Sequence, residues 1–335
     1  MNIYDIAKLA NVSIATVSRV VNNSPKVSKK TKEKVLAVMN ENEYTPNAFA
    51  RGLGLGSMKT IGIICPDIAD IYMAKAVSYL EKNLHDYGYD CILGCSGFGQ
   101  QEKESYVKLL LSKKIDTLVM IGSTYAGSGR DDSETDYIRE AAGQTPVFMI
   151  NAKVNGDNIY CTYADDFQAT YEVTKAFLRR GKEKILFMYD SESFSAKQKL
   201  SGYEAALQDA GYPIRGDLKF KTKNDIEYTK NMLLEYNKTL DFDSVLAVED
   251  GIAIGAIKYA KIKALSIPED LAITGYNNSI LALGSEPELT SVDSKLETMC
   301  KKTVERMIGL LEKGMKIEKN VCVPCKIVRR CTTDF

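Results

Sequence analysis

With 335 residues the chain exceeds one ordinary core, so two or three domains are expected. At 45% hydrophobic and 26% charged it has a globular composition, and no run approaches the about 18 apolar residues of a membrane span. Net charge is zero but unevenly spread: residues 1–57 carry eight basic against four acidic groups, which leaves the remainder net acidic and suggests a nucleic-acid arm on a different kind of body.

Residues 3–10 read as a helix with Ile3, Ile6, Ala7 and Ala10 on one face. This opening lacks the basic leader and apolar stretch of a secretory signal, so a cytoplasmic location is expected. Asn11-Val12-Ser13 breaks the pattern, and Ser13 suits the N-cap of a second helix to Val21 with Val17, Val20 and Val21 inward. After a turn at Asn22–Pro25, Ser28 caps a third helix with Val35, Leu36 and Met39 inward. Two short helices joined by a tight turn and propped by a third make a helix-turn-helix.

The second helix is the expected reader of DNA. Its exposed Ile14 and Ala15 can touch thymine methyls, and Arg19 can grip guanine O6 and N7. Thr16, Ser18 and Asn22 are placed to bond phosphates, with Tyr4, Ser13, Ser28 and Asn47 as further positioning contacts. The plainer alternative makes Ile14 and Ala15 ordinary surface residues. Beyond Tyr44-Thr45-Pro46, residues 47–53 could form about two helical turns, which Gly52, Gly54 and Gly56 weaken by up to about 1 kcal/mol each. Such a helix orders only when something holds it. These glycines precede a strand rather than follow one, so they do not form a phosphate loop.

Ile3-Tyr4-Asp5-Ile6-Ala7, Val12–Asn22 and Tyr44-x-Pro46-Asn47-x-x-Ala50-Arg51-x-Leu53 together resemble the lactose-repressor/galactose-repressor (LacI/GalR) family. The resemblance implies paired hinge helices in the operator's minor groove, with Ala50, Arg51 and Leu53 there and Leu53 as the apolar wedge. The alternative for Leu53 is packing of the linker on the core.

From Thr60 the pattern alternates strands and helices. Strands are expected at Thr60–Cys65, Asp90–Cys95, Thr117–Ile121, Val147–Ile150, Lys184–Tyr189, Ser244–Val248 and Leu271–Thr274. Helices are expected near 71–87, 101–112, 133–142, 167–180, 196–210, 225–237, 250–262 and 295–312. Two such series imply two doubly wound parallel-sheet lobes, with a ligand at the carboxyl ends of the strands between them. Eight cysteines in a cytoplasmic chain are expected as free thiols. The lone Cys322-x-x-Cys325 lies in a β-like run and His85 is the single histidine, so no metal or other cofactor is expected.

Pro66-Asp67-Ile68, Gly202-Tyr203, Asp250-Gly251-x-Ala253-x-Gly255 and Gly275-Tyr276-Asn277-Asn278 resemble the periplasmic-sugar-binding-protein fold that serves this family as its sensor. The division implied is 1–45 helix-turn-helix domain, 46–58 hinge and linker, and 59–335 effector core. Within the core, one lobe comprises about 59–162 plus 291–320 and the other 163–290 plus 321–335. Carry-over gives an effector pocket of Tyr72, Met73, Asp165, Lys197, Glu249, Asp250 and Asn277. Asp165 and Asp250 could equally cap helices. The sequence departs from the family where an arginine is usual and Lys197 stands, where a neutral group is common and Glu249 stands, and where Gly-Tyr/Phe-Asp is usual and Asn277 stands.

The expected function is a sequence-specific transcription regulator, a repressor of carbohydrate-related genes, binding a palindromic operator in double-stranded DNA as a homodimer. A small-molecule effector, a sugar or sugar phosphate, would control it. The alternatives are a catabolite-type regulator answering to a phosphorylated carrier protein, and a binding protein of the same core fold. No nucleophile, base and acid constellation is visible, so an enzyme is not expected.

Overall fold

A computed structural model describes residues 1–22, 24–44, 57–129, 131–236 and 241–335. The expected hinge positions Asn47, Ala50, Arg51 and Leu53 lie outside the described residues. Three helices build the head: α1 (Ile3–Leu9), α2 (Ile14–Val21) and α3 (Lys29–Glu41). Each begins on a side-chain cap that satisfies otherwise orphaned amides. Asn2 accepts from the Tyr4 and Asp5 amides while Asp5 accepts from the Asn2 amide, a reciprocal box. Ser13 and Ser28 accept from the amides of Thr16 and Thr31. Ile6, Ala7, Ala10, Val17, Val20, Val35 and Met39 form the buried core of this unit. Leu36, expected inward, is 38% exposed. With Val35 and Met39 pointing at the core one turn apart, position 36 is rotated by about 100° toward solvent.

The first lobe holds a six-stranded sheet of β1 (Thr60–Cys65), β2 (Asp90–Cys95), β3 (Thr117–Ile121), β4 (Val147–Ile150), β5 (Ile159–Ala164) and β11 (Asn320–Val323). Its order is β11-β5-β4-β3-β1-β2, parallel throughout. Successive residues of β3 serve opposite faces: Leu118 and Met120 pack with Leu110 and Ile138, Val119 and Ile121 with Leu80 and Met307. Burial on both faces explains why these strands are continuous apolar runs. Helices α4 (Ile71–Asp86) and α12 (Leu296–Lys313) cover one face, α5 (Gln100–Ser112) and α6 (Asp136–Ala142) the other.

The second lobe repeats the plan with β6 (Ile185–Tyr189), β7 (Lys219–Lys221), β8 (Ser244–Ala247), β9 (Ala272–Tyr276), β10 (Thr290–Asp293) and β12 (Lys326–Val328). The order is β12-β10-β9-β8-β6-β7, with β12 alone antiparallel. Its helices are α7 (Asp166–Arg179), α8 (Phe194–Asp209), α9 (Ile226–Tyr236), α10 (Asp250–Ile262) and the short α11 (Ile280–Gly284). Among the described residues no helix is long and apolar enough to cross a membrane.

The chain passes between the lobes near residues 165, 295 and 325. These crossings differ by a few residues from the expected 163, 291 and 321, because strand pairing persists further. Val323 is still opposite Ala164 in the first sheet, and Ser291 opposite Val328 in the second. The crossings run side by side: the Asp165 amide donates to the Val323 carbonyl at 2.9 Å, and Ala164, Met299 and Val323 share a small buried cluster. In each sheet the chain order reverses beside one strand, β1 between β2 and β3, β6 between β7 and β8. At such switch points the loops diverge and leave a crevice at the carboxyl ends.

Candidate functional site

The outward face of α2 carries Ile14, 41% exposed, together with exposed Ala15 and Arg19, while Val17 and Val20 are buried behind it. Ser13 holds the start of the helix, and its hydroxyl also bonds the Thr16 hydroxyl at 2.9 Å. Ser28 does the same for α3 with Thr31 at 2.9 Å, beside exposed Lys29 and Lys30. Tyr4, at 67% exposure, projects from the first turn of α1. Ser18 is half-buried, and Asn22 ends α2 with a buried, unpartnered Oδ1. The head thus presents an apolar pair, an arginine and hydroxyl-bearing helix starts on one short helix whose other side is core. The capping hydroxyls and the neighbouring lysines suit phosphate oxygens, and exposed apolar groups beside arginine suit base edges.

Between the lobes lies a cleft of about 810 Å³, within the range of small-molecule sites. Its walls are the residues just past the strand ends: Pro66 to Met73 after β1, Gly122 to Thr124 after β3, Asn151 after β4, Asp190 after β6, Glu249 after β8 and Asn277 after β9. Gly122 sits at φ +119°, a conformation that favours glycine, and packs against the Met73 methyl from α4. Asn151 and Asn277 adopt φ values of +59° and +82°, which asparagine tolerates better than most residues, and both line the crevice. Buried polar atoms normally have partners. Three that line this cleft have none among the described residues: Tyr72 Oη, Thr124 Oγ1 and Asn151 Oδ1.

The floor of the cleft is charged. Asn277 Nδ2 donates to Glu249 Oε2 at 2.7 Å, and Ser294 donates to Asn277 Oδ1 at 3.2 Å. Two of the three departures from the family pattern therefore meet in one hydrogen bond, with carboxylate and amide in exchanged positions. Crowding by protein atoms pushes the Glu249 carboxyl well above the usual glutamate range; Lys199 opposes this, while Asp190 and Asp70 add to it. Burial likewise raises Asp70, against bonds from the Met73 and Tyr72 amides. Behind the floor, buried Lys199 lies 3.7 Å from the Tyr276 ring centre and donates to the Val248 carbonyl at 3.1 Å. Tyr276 and Ser195 both donate to Asp166, whose carboxyl burial raises.

Of the expected pocket residues, Tyr72, Met73, Glu249 and Asn277 line the main cleft and Asp250 an adjoining recess. Asp250 neither caps nor opens freely into that recess; its carboxylate accepts from the Ser279 amide and the Ser291 hydroxyl, each at 2.6 Å, tying the start of α11 to β10. Asp165 is not in the lining. It caps α7 through the Gln168 amide at 3.1 Å, because it stands at a lobe crossing rather than at a strand end facing the cleft. Lys197 is not in the lining either, since its ammonium donates across the lobes to the Ser128 carbonyl. Sequence reasoning missed Asp70, Asp190, Asn151 and Lys199. Their position just past a strand, or within the following helix, was the one available signal.

Residues 2–47 match the family described as bacterial regulatory proteins, lacI family, and residues 58–331 match periplasmic binding proteins and sugar binding domain of LacI family. An HTH-type transcriptional regulator of Lachnoclostridium phytofermentans is 46% identical, with 100% of each chain covered. Catabolite control protein A of Priestia megaterium is 31% identical over 87% of each chain. The solved lac repressor dimer, bound to operator and the anti-inducer ONPF, superposes with a TM-score of 0.88 at 23% identity, covering 99% of this chain and 98% of that one.

Proposed function

The chain belongs to the LacI family of bacterial regulatory proteins, a helix-turn-helix transcription regulator with a periplasmic-binding-type core, and from that premise we propose that it is a cytoplasmic repressor. It binds a two-fold operator as a homodimer, and a small molecule held between the lobes sets its affinity. Arg19, with Ile14 and Ala15, reads bases. Tyr4, Ser13, Thr16, Ser18, Asn22, Ser28 and Asn47 fix the register on phosphates. Ala50, Arg51 and Leu53 enter the minor groove. The observation that carries the DNA reading is the exposed Ile14-Ala15-Arg19 face of a helix whose opposite face is the head's core. A single head contacts few bases, so two-fold pairing on a palindrome supplies the specificity.

The cleft supports effector control, since it lies between the lobes and is lined by buried polar atoms without a partner among the described residues. A ligand that binds one lobe arrangement better than another shifts the population of hinge geometries, and with it operator affinity. Similarity to catabolite control protein A supports a second reading, in which a phosphorylated carrier protein docks on the core.

Selection of binding sites from random duplex DNA tests the proposal. Two inverted half-sites should emerge, and Arg19→Ala should cost about 1–3 kcal/mol at one base position per half-site while phosphate contacts persist. Equal affinity of wild type and Arg19→Ala for the selected site would remove Arg19 from base reading.

A further inference from the structure

The cleft is unusually provided with carboxylates and short of cations. Asp70, Asp190 and Glu249 come from α4 and from the ends of β6 and β8, and each of the three lines the cavity. Among the described residues the half-buried Asp190 carboxylate has no hydrogen-bond or ion-pair partner, and Glu249 receives a single bond from Asn277. The cations nearby are already engaged. Lys199 is buried on the Tyr276 ring and bonds Val248, Lys197 bridges to Ser128 outside the cavity, and Lys223 at the rim lies 4.7 Å from the Tyr228 ring centre. Two of the helix N-termini at the cleft are filled by the protein's own oxygens, Asp70 bonding the start of α4 and Ser193 the start of α8, while the start of α10 has no side-chain cap and carries the acidic Glu249 there.

An anionic ligand placed here would face Asp70 and Asp190, with Lys199 turned to Tyr276 and Val248 and Lys223 out at the exposed rim. A metal ion fits no better, since no group of metal-ligating side chains among the described residues is close enough to hold one. What remains is an organic cation large enough to reach several walls. The independent sign that a ligand belongs here is Asn151, whose side-chain oxygen has no partner among the described residues although the residue is only 8% exposed; as an acceptor it calls for a donor, which a ligand hydroxyl supplies. Phe98, 66% exposed at the mouth, offers a flat apolar face that suits both a sugar ring and a neighbouring ammonium.

We propose that the effector is a protonated amine carried on a polyol, an amino sugar in chemical class, with its ammonium beside Asp70 and Asp190 and its hydroxyls on Glu249, Asn151, Tyr72 and Thr124. This rests on the reading of the cleft as the effector site. It narrows the ligand to one charge class and disfavours sugar phosphates.

The test is a thermal-shift and calorimetric panel on the full-length protein. The panel holds hexosamines, the matching hexoses, their N-acetylated forms and the hexose 6-phosphates. A hexosamine should raise the melting temperature and bind about tenfold or more tightly than its hydroxyl and N-acetyl counterparts. Asp190→Asn should reduce that preference several-fold, lowering the affinity for the hexosamine more than that for the matching hexose. The same substitution should raise the melting temperature of the ligand-free protein, because it removes a like charge from the cleft. A neutral hexose or a phosphate as the strongest ligand overturns the charge assignment and leaves the cleft as the effector site. A panel without any stabilising member, together with a lowered ligand-free melting temperature for Asp190→Asn, overturns both.

Discussion

Burial acts on Glu249 more strongly than its neighbours do. Its carboxyl lies far above the ordinary 4.5, so the folded protein holds a proton there over a pH range in which the unfolded chain has released it. Below the unfolded value both states are protonated and the group contributes no difference. As pH rises from there through the folded value, stability is lost. Glu249→Gln keeps an amide of the same shape and has no proton to lose. The melting temperature of Glu249→Gln should therefore gain on wild type as pH rises from about 4 to about 8. A difference that stays flat across that range would mean the carboxyl is not displaced. The same scale shows why the pocket was only partly legible in the sequence. Motif matching placed the cation at Lys197, yet the buried lysine is Lys199, two residues on. Two residues turn a helix by about 200°, which separates a side chain aimed at the loop near Ser128 from one aimed at the end of β8. Asn151 and Asp190 carry no motif at all, and their role appears only when strand ends from two lobes face each other.

At the scale of elements, the sequence was most informative where one physical rule dominates. β1, β2, β3 and β4 were read to the residue because apolar runs bounded by turn residues leave little choice. β7 and β12 are three residues each and only half-buried, and their strand character comes from pairing with β6 and β10 rather than from any local pattern. In the head the caps were visible as Ser13 and Ser28 and hold the helix starts in the structure. A helix of eight residues has little stability of its own, so its cap matters. Ser13→Ala should cost the head about 1 kcal/mol, seen as faster amide exchange at Thr16 and Val17. Exchange in the core sheets should stay as in wild type. Unaltered exchange in α2 would show that packing of Val17 and Val20 alone holds the helix.

For the whole molecule, the relation between the lobes rests on few polar ties. Ser123 donates to Ser193 at 2.9 Å, and Lys197 reaches Ser128 beside it. Lys197→Met removes a charge-assisted bond from a partly exposed position, at a cost of about 1 kcal/mol. The ligand-free core should then spend more time apart, giving a larger radius of gyration by small-angle scattering, and saturating effector should restore the wild-type value. An unchanged radius in the ligand-free variant would mean that other contacts set the lobe spacing. The passages near residues 165, 295 and 325 constrain what such opening can look like. A body tethered at one point can swivel about any axis. One tethered along a row of adjacent straps keeps a single angle of swing. Whatever enters the crevice therefore acts on one coordinate, and a protease that nicks one strap leaves two others to keep the halves joined.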